Sequence, residues 1–168
     1  QGVSSAASDV YKRQRYDGTG NLVDWWTAED RQRFEERTRS LIDQFDVLVP
    51  AGFDSKHTVN GALTIGENIG DVGGLSIAYK ALTIAAADEG REVTTEEKQQ
   101  FFYAWAKAWR IKMRKEERLR RLSVDPHSPE EFRCNQVVKN IDAFSEAFDV
   151  SEGDPMYLPP EERVHIWV

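Results

Sequence analysis

The stretch GENIGDVGG, residues 66–74, decides the fold, because it opens an apolar helix with three interior glycines and two carboxylates. Ile69, Val72 and Leu75 recur at a spacing of three, and the apolar stripe continues to residue 82, which predicts a helix over residues 66–88. A glycine inside a helix costs about 1 kcal/mol relative to alanine. The glycines at positions 70, 73 and 74 therefore indicate that another backbone or a ligand approaches this helix closely.

Upstream of this segment, the sequence predicts one amphipathic helix and one irregular connection. Thr27 can cap the helix, with Asp30 at its third position. Phe34, Leu41 and Phe45 then recur at helical spacing, and the opposite face is rich in arginine and glutamate. The proline, glycine and asparagine content of residues 50–61 predicts an irregular link.

Downstream, the sequence predicts further helices and no strand. Thr94 and Glu97 are typical of a capped helix start. That helix carries aromatic residues as far as Trp109 and then continues or kinks into a basic run that ends at residue 122. Ser128 predicts the N-cap of a short helix, with a proline at its first position. A last short helix over about residues 141–148 precedes an irregular tail, so the expected fold class is mainly α.

Composition excludes several classes of protein. The 168 residues are 40% hydrophobic and 11% aromatic, which is enough for one globular core. No stretch approaches the roughly 18 consecutive apolar residues that a membrane helix needs. The net charge of −7 argues against a nucleic-acid partner. Cys134 is the only cysteine, so the chain cannot form an internal disulfide or a cysteine-based zinc site.

The basic run over residues 107–121 is compatible with two interpretations. It holds eight basic residues and two glutamates, and aromatic residues lie beside it, as in a nucleic-acid or membrane-surface stripe. The basic residues are spread around the helix rather than along one face, which favours an ordinary solvated helix.

The first 14 residues are expected to be foreign to the protein. They begin without methionine and lack the features of a signal peptide, and DVYKRQ at 9–14 resembles a translated library adapter. We therefore treat residues 1–14 as non-native sequence and residues 15–168 as a segment of a longer reading frame.

Glu67 and Asp71 are the first pair of residues that could carry chemistry. At a spacing of four they lie on one face of the predicted helix, where two like charges repel. A metal ion or a histidine would relieve this repulsion. The alternative is a solvated acidic face near a helix N-terminus, and spacing alone favours that alternative.

His127 and Arg133 form a second candidate pair, carried by a loop and the start of a short helix. Both could donate hydrogen bonds to a developing oxyanion and to a substrate carbonyl. Alternatively, His127 caps a turn and Arg133 pairs with Glu130 or Asp125. The residues alone favour this second, local role.

Four motifs in a fixed order alter that balance. They are RYDGTGNLVDWWT at 15–27, GENIGDVGG at 66–74, DPHSPEEFR at 125–133, and NIDAFSEAFDV at 140–150 with the closing MYLPPEERVHIW. Together they resemble the C-terminal catalytic region of the neprilysin and endothelin-converting-enzyme family of zinc metalloendopeptidases. The resemblance implies that residues 15–168 are the C-terminal helical subdomain of a zincin-type metallopeptidase, with peptides as substrates.

The resemblance also implies roles for five side chains. Glu67 matches the third ligand of one Zn²⁺ ion that is held by two histidines and one glutamate in the full-length protein. Asp71 matches a carboxylate that orients one of those histidines. His127 matches the residue that stabilises the tetrahedral oxyanion, and Arg133 the one that holds a substrate carbonyl. Trp109 aligns with an aromatic residue that lines the pocket for the residue after the scissile bond.

The sequence departs from the family at the motif that holds the metal. Histidines occur at positions 57, 127 and 165, and none is followed by glutamate, so the chain has no H-E-x-x-H. In the family this motif lies shortly upstream of the position that matches residue 15.

Two functional hypotheses of different class follow from that departure. In the first, the chain is a fragment of a zinc metalloendopeptidase, inactive alone and dependent on the missing N-terminal part of the same protein. In the second, it is a non-catalytic helical binding or scaffold module descended from the peptidase. Localisation stays open, with an extracytoplasmic or cell-envelope position in a bacterium as one candidate, and membrane association is unknown.

Overall fold

Six α-helices and one short 3₁₀ helix make up the described part of the chain, which contains no strand. The computed structural model describes Thr19, Asn21, Val23 and residues 26–166. The α-helices are α1 (Ala28–Asp46), α2 (Gly61–Asp88), α3 (Thr95–Ala108), α4 (Lys115–Val124), α5 (Glu130–Val138) and α6 (Asp142–Phe148), and the 3₁₀ helix is Pro160–Glu162. The mainly α fold expected from the sequence is confirmed. Within this described part, no helix combines the length and the apolar character needed to cross a membrane.

Helix α1 begins where the sequence predicts it. The Thr27 hydroxyl accepts a hydrogen bond from the Asp30 N–H at 3.1 Å, which satisfies one of the unpaired donors at the helix start. Leu41 and Phe45 are fully buried, as their helical spacing predicts.

Helix α2 begins earlier than the sequence predicts, at Gly61 rather than at residue 66. The side chain of Asn60 caps it by accepting from the Leu63 N–H at 2.9 Å, and Asp46 accepts from the Gly61 N–H at 2.6 Å. A Cβ atom on Gly61 would lie 2.5 Å from the Ile42 carbonyl oxygen, so α1 and α2 are in close contact at a position without a side chain. The predicted start is wrong because Asn60, the last polar residue of the expected irregular link, is the N-cap of the helix.

Helix α3 starts with the predicted capping box. The Thr94 hydroxyl accepts from the Glu97 N–H at 3.2 Å, and the Glu97 carboxylate accepts from the Thr94 N–H at 2.9 Å. The helix ends at Ala108 with Trp109 as its C-cap, and the basic run then forms the separate helix α4. Residues 109–114 are not α-helical, so α3 and α4 are two separate helices rather than one continuous helix.

The start of α5 differs from the sequence expectation in the role of Ser128. The N-cap is Pro129, and no side chain caps the helix. The Ser128 hydroxyl instead donates to Asn68 Oδ1 at 2.8 Å. A buried tertiary partner thus replaces the local capping bond. Helix α6 lies within one residue of its predicted start.

Helix α2 runs through the centre of the core and positions the candidate site. Its buried face packs against α1 and α5, and the shared core contains Leu41, Phe45, Ile69, Val72, Leu75, Phe102, Val137 and Val138. The C-terminal segment joins this core through Asn140, whose Oδ1 accepts from the Val164 N–H at 2.8 Å. Packing of α5 on α2 places residue 133 beside residues 67 and 71.

Candidate active site

The four polar residues singled out from the sequence converge at one place, where α2 meets α5 and the loop that precedes α5. Glu67 and Asp71 lie one turn apart on α2, Arg133 lies on α5, and His127 lies in the loop. The predicted site residues are therefore neighbours in space, although the two pairs are about sixty positions apart in the chain.

Arg133 and Asp71 form a buried bidentate pair. Arg133 Nε donates to Asp71 Oδ2 at 2.6 Å, and the second guanidinium nitrogen donates to Oδ1 at 2.8 Å. Burial raises the pKa of Asp71 above its ordinary value, and the hydrogen bonds and charge of Arg133 oppose that rise. The local alternative, in which Arg133 pairs with Glu130 or Asp125, is therefore wrong.

His127 is held from one side and directed toward Glu67 on the other. Its Nδ1 lies 2.7 Å from Asp125 Oδ1, which also accepts from the His127 backbone N–H at 3.0 Å. An ionised carboxylate can only accept, so Nδ1 carries a proton. The other ring nitrogen, Nε2, lies 3.3 Å from Glu67 Oε2. The turn expected in the local interpretation is present, and it directs the ring into the site.

Asp125 also belongs to the site, although the sequence predicts it only as an alternative partner of Arg133. Burial alone would raise its pKa, but the hydrogen bonds from the backbone N–H and the ring of His127 lower it below the usual value. The signal available in the sequence was the D-x-H spacing, which is typical of a turn closed by an aspartate side chain.

The Arg133 guanidinium explains how the Glu67 and Asp71 carboxylates can lie on the same helix face. Arg133 reaches both carboxylates, because one guanidinium nitrogen also lies 3.7 Å from Glu67 Oε2. His127 approaches Glu67 from the loop. Arg133 thus offsets the repulsion expected at a spacing of four, and the solvated acidic face favoured by spacing alone is not observed for Asp71, which is buried.

Trp109 shares a pocket with these groups. The Arg133 guanidinium carbon lies 4.3 Å above the centroid of the indole ring, within the range of a cation–π contact. A cavity of about 430 Å³ opens beside them and is also lined by His127 and Phe53. Among the residues that the structure describes, none forms a hydrogen bond with the buried Trp109 Nε1. Trp109 therefore lies where a bound chain could contact it, and its subsite role stays a prediction.

The described residues do not form a complete metal site by themselves. Over Thr19, Asn21, Val23 and 26–166, no three histidine, cysteine, aspartate or glutamate side chains cluster closely enough to hold an ion. Glu67 nevertheless fits one position of such a site. Its carboxylate is of the type that Zn²⁺ accepts, and its side chain keeps 18% of its surface exposed at the edge of the core.

Asn68 has a closer link to the site than the sequence indicated. In the structure it is fully buried and accepts the hydrogen bond from Ser128, the residue that follows His127. No periodicity or spacing rule relates positions 60 residues apart, so this contact could be identified only from the three-dimensional structure.

The arginines of α4 are engaged by acidic neighbours. Arg118 donates to Glu131 at 2.8 Å, and Arg120 and Arg121 both donate to Glu117. This pairing is consistent with the solvated-helix interpretation of the basic run.

The arrangement of helices and site is shared with known zinc metalloproteases. The structure superposes on zinc metalloprotease ZMP1 of Mycobacterium tuberculosis in complex with an inhibitor, with a TM-score of 0.85 and 48% identity over 96% of this chain. It also matches PEPO of Lactobacillus rhamnosis, with a TM-score of 0.80 and 32% identity over 99% of this chain. The chain covers 26% and 25% of those two chains. The class is thus the helical part of a zincin-type metallopeptidase.

The chain belongs to Peptidase family M13, whose family profile matches residues 10–164. Neutral endopeptidase of Lactococcus lactis is 40% identical over 154 residues, and neprilysin-1 of Caenorhabditis elegans is 38% identical over 162 residues. The family resemblance seen in the four motifs is confirmed. The chain spans about a fifth of these relatives, 22% and 21% of their lengths. Residues 1–18 lie outside the described residues, and the assignment of 1–14 as non-native stays a prediction.

Proposed function

We propose that residues 15–168 form part of the active site of a zinc metalloendopeptidase that hydrolyses peptides. The two histidine ligands of the zinc would be supplied by sequence outside these 168 residues. The observation that carries the proposal is the 3.3 Å approach of His127 Nε2 to Glu67 Oε2, which places a candidate oxyanion donor beside a candidate metal ligand. The relatives named neutral endopeptidase and neprilysin support it.

Glu67 would hold the zinc, and Asp71 would orient one of the histidines that hold it. When bound, the metal would polarise the scissile carbonyl and lower the pKa of a water molecule. Both oxygens of Asp71 already accept from Arg133, but each keeps a further lone pair for an imidazole N–H. The buried pair with Arg133 would keep this carboxylate in a fixed orientation.

His127 and Arg133 would act on the substrate. With Nδ1 held by Asp125, the ring directs Nε2 toward Glu67, and the doubly protonated imidazolium would donate from Nε2 to the oxyanion of the tetrahedral intermediate. Arg133 keeps guanidinium N–H groups beyond those used by Asp71, and these would donate to a backbone carbonyl of the peptide. Trp109 would hold the Arg133 guanidinium by stacking against it and would line the adjoining subsite.

The complete reading frame that contains residues 15–168 provides the test. The encoded protein should hydrolyse an internally quenched peptide, lose this activity to a chelator and regain it with Zn²⁺. His127→Ala should lower kcat about 10²- to 10³-fold, the usual effect of removing one oxyanion donor. His57→Ala serves as a matched control, because this histidine pairs with Asp54 in an exposed loop.

Two results would contradict the proposal. One is a protein that has a complete frame and bound zinc but no zinc-dependent hydrolysis. The other is a His127→Ala variant as active as His57→Ala. A native frame that starts near residue 15 and encodes no histidine pair would instead favour the scaffold hypothesis.

A further inference from the structure

We infer that Asn68 and Ser128 are positioning residues that hold the loop carrying His127 at a fixed distance from Glu67. This inference rests on the proposed function, because it assigns a purpose to the Glu67–His127 geometry. Neither residue would touch the substrate or the metal.

The location of the hydrogen bond supports this role. Ser128 Oγ donates to Asn68 Oδ1 at 2.8 Å, and the two residues are 2% and 0% exposed. Asn68 follows Glu67 in the chain, and Ser128 follows His127. The bond therefore joins the two backbones one residue away from each functional group.

A chain of hydrogen bonds fixes the direction of the Asn68 amide. The Thr64 hydroxyl donates to the Asn60 carbonyl at 3.1 Å, so toward Asn68 Nδ2, at 3.0 Å, it can only accept. The amide nitrogen of Asn68 must then face Thr64, and its oxygen must face Ser128. Nδ2 can donate to Thr64 while Oδ1 accepts from Ser128 only in this orientation, so the amide has one satisfied orientation and connects the loop to α2.

Asp125 cannot perform the same task. It lies on the same loop as His127, so its hydrogen bonds orient the ring relative to the loop and not the loop relative to α2. The bidentate pair of Arg133 and Asp71 fixes α5 on α2 beyond the loop. Asn68 and Ser128 thus form the buried side-chain tie between the loop itself and the helix turn that bears Glu67.

The test uses the complete zinc-loaded protein and compares Ser128→Ala with Ser76→Ala. Ser76 is a matched control on α2, because its hydroxyl donates only within the helix, to the Val72 carbonyl at 2.8 Å. Ser128→Ala should lower kcat about 10- to 100-fold, the usual cost of removing a group that orients a functional side chain. KM and zinc content should stay within about twofold of wild type. Ser128→Thr keeps the hydroxyl and should recover most of kcat.

Inhibitor binding adds a readout that does not depend on turnover. A phosphonate peptide copies the tetrahedral oxyanion that His127 would contact, whereas a simple thiol binds zinc alone. Ser128→Ala should weaken the phosphonate by about the same factor as kcat and leave the thiol unchanged. Asn68→Ala combined with Ser128→Ala should lose no more than the larger single loss, because both substitutions remove one interaction.

Three results would overturn the inference. The first is a kcat for Ser128→Ala equal to that of Ser76→Ala. The second is an equal loss of affinity for the thiol and for the phosphonate. The third is a lower zinc content and a lower melting temperature without a selective fall in kcat. Each would indicate a purely structural bond. Absence of hydrolysis in the wild-type protein would instead refute the proposed function, so the two failures are distinguishable.

Discussion

Arg133 binds both carboxylate oxygens of Asp71, at 2.6 and 2.8 Å, and each residue is 8% exposed. A buried pair of this kind contributes less to stability than its two hydrogen bonds suggest, because both ions lose their hydration. Breaking it is costly, because the remaining charge is left buried without a partner. The pair therefore locks α5 onto α2 and makes the site sensitive to any change in either residue.

We predict that Arg133→Met lowers the free energy of unfolding by about 3–5 kcal/mol, because it leaves the buried Asp71 carboxylate without its charged partner. Arg133→Met combined with Asp71→Leu should recover much of this loss. Denaturant midpoints of the complete protein measure both effects. Glu29→Gln is the control, since its pair with Arg33 is exposed and should contribute less than about 1 kcal/mol. A loss for Arg133→Met no larger than for the control would refute this account of the pair.

Gly61 should not tolerate alanine, although alanine is the better helix former. The added Cβ would meet the Ile42 carbonyl at 2.5 Å, which forces α1 and α2 apart. We expect Gly61→Ala to cost about 1–3 kcal/mol of unfolding free energy, the usual range for an overpacked contact. Ile77→Ala, at a half-exposed position of α2, should change stability much less. A neutral or stabilising Gly61→Ala would show that the two helices are not in close contact here.

The pairing of Glu117 predicts a contribution to stability that depends on pH. Hydrogen bonds from Arg120 and Arg121 lower the pKa of Glu117 from 4.5 to about 2. A folded-state pKa below the unfolded value means that the stabilisation is complete above about pH 4.5 and is lost as the pH falls toward 2. Because the side chain is exposed, the effect should be small and should shrink at high salt.

Acid titration of the carboxyl resonance measures that pKa directly. Replacing both arginines, as Arg120→Gln with Arg121→Gln, should return it toward the ordinary value. An unchanged resonance in that variant would show that the arginines do not hold the carboxylate in solution.

The helix caps show how much of this fold is encoded locally. Thr27 and Thr94 were recognised from sequence because a cap and its partner lie within one helical turn. The predicted start of α2 is too late, because the Asn60 cap lies at the end of a proline- and glycine-rich link and because Asp46, which also holds the helix start, lies on another helix. For Ser128 the sequence predicts a local cap, but its partner, Asn68, lies on α2.

The candidate site was identified from the family motifs rather than from spacing. Spacing placed Glu67 and Asp71 on one helix face but favoured a solvated role for both. The residues alone also favoured a local partner for Arg133. Its actual partner, Asp71, lies 62 residues away in the chain and becomes adjacent only when α5 packs on α2. Tertiary contacts of this kind follow no sequence period, which is why the Asn68–Ser128 bond was also missed.

The zinc content of the complete protein, measured for the wild type and for Glu67→Gln, tests the central claim most directly. The account predicts about one zinc per wild-type chain and a large loss of zinc in Glu67→Gln. It also predicts that residues 15–168 alone bind zinc only weakly, because one carboxylate is not a site. Full zinc occupancy in Glu67→Gln, or a micromolar zinc affinity of residues 15–168 that Glu67→Ala abolishes, would contradict it.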